Sequence, residues 1–461
     1  MKPSLKALVN SEARSATQSQ VASGRVFSAL AIVGLFAHLV VAVIAGNRLS
    51  TPLSGGGDVQ HYVTLAANLR NGDGFTYAHV PTAFRPPLYP LLLAALMWLS
   101  PGHWIALLHV FQFLVSIATA GVCALLAARW FGRGSGPIAL AVALLLPTQI
   151  YFTGEVLTEC TASLLGILFL LYLDCAVKTS RTRDWILVGA IAGAASLERF
   201  NAAGLVLVIA AVALGWPANG LRHRIAKQNL RSLALSCASC AVVLSPWIAH
   251  TAIAFHGKAL YSTHTGFAAV EGILSPTGRA QEGETTRITQ ILGWGNWSVE
   301  TNTPAVPEFR DEVALNHQAL SVAQELWRNV DWHLIPIISE KIGAFWLSTD
   351  QILHISMVSS RNRSLRRVGV GGYWAVLALA VVGWFRLSTS QPGIARVVLF
   401  YAVLLTAIHL PLTMNTRLRS PLFDPLLASL SAGGLLTLAV RSKAEIHKSG
   451  PTCLTSVGPH E

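Results

Sequence analysis

Runs of about twenty apolar residues recur along this chain of 461 residues, among them Val26–Gly46, Trp104–Ala128, Leu157–Val177 and Leu233–Phe255. A hydrocarbon core of ~30 Å is crossed by roughly 20 such residues in a helix. Inside lipid every backbone N–H and C=O needs an internal partner, which leaves only helices and closed barrels. Barrels are written as short alternating strands, and these long unbroken runs are not. Charged residues make up only 12% of the chain, about half the usual share for a soluble domain. The sequence therefore predicts an all-α polytopic membrane protein and excludes a water-soluble fold.

Charge sets the expected orientation. Lys2, Lys6, Arg14 and Arg25 precede the first apolar run, so residues 1–25 read as a cytoplasmic tail, with no cleavable signal. Residues 47–87 then form a first outer loop. The apolar stretch Leu88–Ser100 is too short for an ordinary crossing and reads as interfacial or re-entrant. With that assignment, three basic clusters fall inside: Arg129/Arg133, Lys178/Arg181/Arg183 and Arg222/Arg224/Lys227/Arg231.

Crossings are expected near 26–46, 104–130, 136–152, 157–177, 185–199, 201–217, 232–255, 370–387, 394–413 and 421–440. Residues 26–255 thus form a transmembrane module, 256–369 a larger late outer loop, 370–440 the C-terminal helices and 441–461 a cytoplasmic tail. The late loop contains Pro276, Gly278, Gly293, Gly295, Pro304 and Pro307 and reads as folded, with short helices rather than a span, and Arg361, Arg363, Arg366 and Arg367 stand on its side against the charge rule.

The net charge of +12 is spread over short loops between spans, as orientation in a membrane requires, so nucleic acid is not an expected partner. Cys237 and Cys240 form a C-x-x-C inside an apolar run and read as small packing residues. No heptads or tandem repeats are evident.

Ionisable groups in a membrane protein are costly and are functional candidates by default. In this scheme they gather on the outer side. Gly55, Gly56 and Gly57 lead into Asp58, and Tyr62 follows at i+4 on one helical face. The pattern fits a helix cap or a functional acid equally well. Asp73, between Gly72 and Gly74, suits a turn. Arg85 precedes Pro86 and Pro87, which keep it out of the next helix. It is either a phosphate ligand or an interfacial anchor. Glu155 and Glu159 would share a helical face, where like charges repel unless something uses them, and either reads also as a structural carboxylate paired with an arginine. Glu198-Arg199-Phe200-Asn201 is a polar break, read also as a self-paired hairpin, and Arg417-Leu418-Arg419 stands before the last span.

Taken together, D-x-x-x-Y at Asp58–Tyr62, the L-x-x-G-x-G-F at Leu69–Phe75, Arg85-Pro86-Pro87-Leu88-Tyr89, Leu157-Thr158-Glu159 and R-x-R-x-P at Arg417–Pro421 resemble the GT-C glycosyltransferases. The similarity is greatest to the bacterial branch related to protein O-mannosyltransferases and the lipid A aminoarabinose transferase. It covers residues 58–220 well and 410–440 weakly.

The resemblance implies a bundle of about 10–12 transmembrane helices, with juxtamembrane helices in the first outer loop and a larger late outer loop. It implies a bacterial inner-membrane enzyme working on the outer, periplasmic face. Its substrates would be a polyprenyl-phosphate-linked sugar, hexosyl or pentosyl, and a protein, lipid or glycan acceptor. Asp58 matches the family's general base and Arg85 the residue that holds the donor phosphate, with Tyr62, Arg199, Arg417 and Arg419 as helpers. Glu159 matches the second-loop acid but is Glu where the aminoarabinose branch has Asp, so it and Glu155 are both candidate catalytic acids. Oligosaccharyltransferase relatives bind a metal through D-x-D. Gly57-Asp58-Val59-Gln60 lacks the second acid, so neither a metal nor another cofactor is expected. The rival readings are a secondary transporter, which would show repeat symmetry and midplane charges, and an envelope-glycan polymerase or ligase, which would use lipid diphosphates.

Overall fold

The computed structural model describes residues 5–46, 56–77, 80–213, 227–274, 312–328, 334–348 and 363–448. Gly55, Arg361 and the prolines and glycines named between 276 and 307 lie outside them. Among the described residues, seven helices are long and apolar enough to cross a membrane, and a bent pair makes an eighth. The protein is a multi-pass α-helical membrane protein. Large apolar side chains cover its outside, with Ile32, Phe36, Val242 and Ile253 all more than half exposed, as lipid contact requires.

In chain order the helices are α1 (Leu5–Gly46), α2 (Gly56–Asn71), α3 (Leu88–Leu99), α4 (Trp104–Phe131), α5 (Ser135–Leu145), α6 (Pro147–Thr153), α7 (Glu159–Thr179), α8 (Thr182–Glu198) and α9 (Leu205–Ala213). They continue with α10 (Lys227–Ala254), α11 (Thr265–Leu274), α12 (Glu312–Arg328), α13 (Leu334–Trp346), α14 (Arg363–Ser390), α15 (Pro392–His409) and α16 (Thr416–Lys448). A small antiparallel hairpin, β1 (Thr76–Tyr77) with β2 (Val80–Pro81), lies in the first loop. Just before it, Gly72 and Gly74 flank Asp73 with φ of +89° and +77°. Glycine adopts that backbone without strain, so Asp73 sits in a turn as expected.

Every one of the ten expected crossings is at least partly helical, but not all are plain spans. The stretch 136–152 is broken. Leu146, extended because Pro147 follows it, separates α5 from α6 at an angle of 56°. The stretch 185–199 is α8, of 17 residues. The stretch 201–217 is a 3₁₀ turn, Phe200–Gly204, followed by the short α9, and its end lies outside the described residues. Leu88–Leu99 is a short apolar helix, buried on one face and with Trp98 and Leu99 exposed on the other.

Helix α16 packs against α4, α5, α7 and α14 and forms the middle of the bundle. Small residues allow this. A Cβ on Gly383 of α14 would stand 1.9 Å from the Leu430 carbonyl oxygen, and one on Gly434 2.1 Å from that of Leu379. Close backbone approach of this kind is the usual basis of helix packing in lipid, where apolar burial offers little drive.

The turn between α6 and α7 corrects one expectation. Glu155 does not share a helical face with Glu159, because α6 ends at Thr153 and Glu155 lies in the bend before α7. Fully buried Gln112 of α4 stabilises this bend. Its amide donates to the carbonyls of Phe152 (3.2 Å), Thr153 (3.0 Å) and Glu155 (2.9 Å), while Tyr89 donates to its oxygen at 3.2 Å. A broken helix inside a bundle must have its freed carbonyls satisfied in this way.

Candidate active site

Asp58 lies in the first turn of α2, not before it. Its carboxylate does not cap the helix; it leaves sideways to two guanidiniums. Oδ1 pairs with Arg85 Nη2, and Oδ2 with Arg417 Nη1 at 2.6 Å. Arg85 is held out of α3 by Pro86 and Pro87, as its sequence context requires. It also lies over the Tyr62 and Phe84 rings, 5.6 and 5.1 Å from their centroids. Arg417 owes its place to Asn415, whose side chain accepts the Leu418 N–H at 3.1 Å and so caps the start of α16.

The chain of charges continues inward. Arg417 Nε donates to Glu159 Oε1 at 2.5 Å, and Arg199 Nη1 reaches the same oxygen at 3.2 Å and Thr158 Oγ1 at 2.9 Å. Arg199 is extended between α8 and the 3₁₀ turn, so the polar break aims it at α7. Glu198 and Arg199 do not form the self-paired hairpin; Glu198 accepts from Thr161 instead. In total, three guanidiniums share two carboxylates.

These groups stand at a cavity of about 640 Å³ lined by residues of five separate stretches: 58–86, 198–201, 261–271, 408–413 and 415–418. Residues 408–413 end an expected crossing, the other four stretches were expected on the outer side, and all five meet here. Asp58, Tyr62, Arg85, Arg199 and Arg417 line the cavity; Glu155, Glu159 and Arg419 do not. Glu159 is fully buried and holds Arg199 and Arg417 from behind. Arg419 is also fully buried and corrects the expectation of a phosphate contact. It pairs with Asp424 at 3.0 Å, donates to the Phe345 carbonyl and lies 4.8 Å from the Tyr373 ring centroid. Residues 417 and 419 lie two positions apart, on opposite faces of α16, and so have separate surroundings.

The electrostatics follow from this packing. Burial alone would raise the Asp58 carboxyl, but Arg85 and Arg417 outweigh it and hold the group well below the usual carboxylate range. His61 lines the same wall, with Arg85 Nε 3.4 Å from its Nδ1. Burial and the Arg85 charge lower it to about 3, and His264 likewise. Both rings are therefore neutral at physiological pH. Glu271, on α11, is pushed up to about 7, chiefly by burial.

His61, His264 and Glu271 were not among the expected site residues. His61 carried a signal, since it follows Asp58 at i+3 on the face shared with Tyr62. Glu271 carried one too, being the sole ionisable residue in the apolar stretch Thr265–Leu274. Among the described residues no group of His, Cys, Asp and Glu is arranged to hold a metal ion.

Comparison with solved structures decides the fold. The archaeal oligosaccharyltransferase AglB from Archaeoglobus fulgidus, in complex with an inhibitory peptide and a dolichol-phosphate, superposes with a TM-score of 0.53 at 12% identity. The match covers 94% of this chain and 52% of that one. The same organism's enzyme in the apo form gives 0.52 at 14% identity, over 93% and 53%. The chain shares the fold of these enzymes.

In sequence, the family described as dolichyl-phosphate-mannose-protein mannosyltransferase matches residues 84–250 of this chain. That interval starts at Phe84-Arg85 and includes Glu159 and Arg199. ArnT from Cupriavidus metallidurans, bound to undecaprenyl phosphate, aligns over 93% of this chain and 81% of its own, with a TM-score of 0.37 at 16% identity. No curated protein sequence matches. The chain spans about half the length of the archaeal enzymes it superposes on.

Proposed function

We propose that this protein is a glycosyltransferase that moves a hexose or pentose from a polyprenyl-phosphate donor to a protein, lipid or envelope-glycan acceptor. The reaction would take place at the outer face of a bacterial inner membrane. The observation that carries this reading is the Arg85–Asp58–Arg417–Glu159–Arg199 chain at the cavity, where three positive groups share two negative ones. The surplus charge suits a phosphate, and a planar guanidinium presents paired N–H donors to it. The matched family's description names a dolichyl-phosphate-mannose donor, and the archaeal neighbour was solved with dolichol-phosphate, which supports the same class of lipid here.

The chemistry follows from the groups in the cavity. Arg85 and Arg417 hold the donor phosphate and stabilise the charge it gains as the bond to the sugar breaks. Asp58 is a weak base while both guanidiniums occupy its oxygens. A phosphate draws on the same N–H groups, so donor binding strengthens the base just when an acceptor arrives. The acceptor hydroxyl then gives its proton to Asp58, its oxygen bonds to the anomeric carbon, and the polyprenyl phosphate leaves with the electron pair. Such a base contributes roughly 10²–10⁴-fold. Direct displacement inverts the anomeric centre.

The test is a proteoliposome assay with labelled sugar on either polyprenyl monophosphate or polyprenyl diphosphate. Transfer from the monophosphate, with release of free polyprenyl phosphate, is expected. Movement of the intact lipid without cleavage would establish a transporter, and turnover of the diphosphate alone a polymerase or ligase.

A further inference from the structure

Glu312 opens helix α12, far along the chain from the first loop, yet its side chain is buried. Oε1 accepts from Thr82 Oγ1 at 2.9 Å and Thr263 Oγ1 at 2.7 Å, and Oε2 accepts the Ala83 N–H at 3.2 Å. The three stretches are also joined directly. The Thr263 N–H donates to the Ala83 carbonyl at 3.2 Å, and the Phe84 N–H to Thr82 Oγ1 at 3.1 Å. Among the described residues no cation pairs with Glu312. A carboxyl group buried without a cation is costly, and here three hydrogen bonds offset that cost.

The knot lies directly ahead of the charged cavity. Arg85 follows Ala83 by two residues, and Pro86 and Pro87 stiffen the chain on its far side. The Phe84–Arg85 pair is thus fixed at both ends. Across the cavity wall Thr263 leads into His264, whose ring meets that of Phe84 edge-on at 4.5 Å. One carboxylate therefore sets two lining segments, 84–85 and 264–267, relative to each other.

We propose that Glu312 is a positioning residue for the donor: it fixes Thr82–Arg85 so that the Arg85 guanidinium stands ready for the phosphate, which makes the late outer region part of the donor site. This rests on the reading of Arg85 as a phosphate ligand. Glu312→Gln keeps the volume but turns one acceptor into a donor, so a hydrogen bond to the knot is lost. Thr82→Val keeps the buried carboxyl but removes two bonds of the knot, Thr82 Oγ1 to Glu312 Oε1 and the Phe84 N–H to Thr82 Oγ1, and serves if Glu312→Gln does not fold.

The experiment uses the full-length protein in detergent and measures amide exchange over 82–85 together with donor KM and kcat for a polyprenyl-monophosphate sugar. Faster exchange over 82–85 and a donor KM raised about tenfold, with kcat nearly unchanged, are expected for Glu312→Gln. Thr82→Val should shift both in the same direction. Arg85→Ala is run beside them. If Arg85→Ala raises donor KM but Glu312→Gln and Thr82→Val do not, the positioning role is wrong and the reading of Arg85 survives. If Arg85→Ala leaves donor KM unchanged, that reading fails and takes this inference with it.

Discussion

Of the carboxyl groups lining the cavity, Glu271 is held on different terms from Asp58. Asp58 has a guanidinium on each oxygen and is ionised. Glu271 has no such pair, and burial lifts it to about 7. Its raised pKa means that the folded protein binds the proton more tightly than the unfolded chain does. Its contribution to stability is therefore full below about pH 4.5 and is lost as pH rises through about 7. Wild-type melting in detergent, measured relative to Glu271→Gln, should fall across that window and level off above it. Parallel melting curves for the two proteins would show that Glu271 titrates normally. Residue identity made some of the site legible: Asp58, Tyr62, Arg85, Arg199 and Arg417 were all found from local pattern, because each has an unusual neighbour in sequence. Glu159 was read either as a catalytic acid or as a carboxylate paired with an arginine, and it pairs with Arg199 and Arg417; Arg419 was expected at the phosphate and is buried against Asp424. Their local pattern is as good, and only three-dimensional packing separates an arginine at the cavity from one buried against Asp424.

At the scale of elements, the apolar runs were long enough to announce nearly every helix, since lipid leaves few alternatives. What they did not announce was where a helix breaks. Pro147 and Gly154 are modest signals alone, and the decisive partner, Gln112, lies some forty residues away in α4. Gln112→Leu should leave the carbonyls at the bend without a donor, at about 1–3 kcal/mol for each buried group left unpaired. The variant should melt lower than wild type in detergent, with donor affinity reduced because the bend leads directly to Glu159 and thus to Arg417. An unchanged melting temperature would mean that the bend is stabilised by other means. Short helices were expected in the late outer loop, but where α11 and α12 pack was illegible for a related reason. Their place depends on contacts such as Gly272 against Leu412, where a Cβ would lie 2.4 Å from the carbonyl carbon, and on the Glu312 knot, neither of which has a sequence signature.

Taken as a whole molecule, the fold brings five distant stretches to one end of the bundle. The proposed orientation makes that end face outward. In a background lacking the native cysteines, a cysteine placed near Gly154 should react with an impermeant reagent from outside, and one near Ser180 should not. Labelling at Ser180 from outside would reverse the parity of the crossings and move the cavity to the other face. The central claim, however, is that this end carries out glycosyl transfer with Asp58 as the base. Asp58→Asn retains the size of the side chain and an acceptor oxygen, but it cannot take the acceptor's proton. Purified, reconstituted Asp58→Asn should transfer sugar at least about 10²-fold more slowly than wild type, with a similar melting temperature and donor affinity changed much less than the rate. Transfer at close to the wild-type rate by Asp58→Asn would contradict the account.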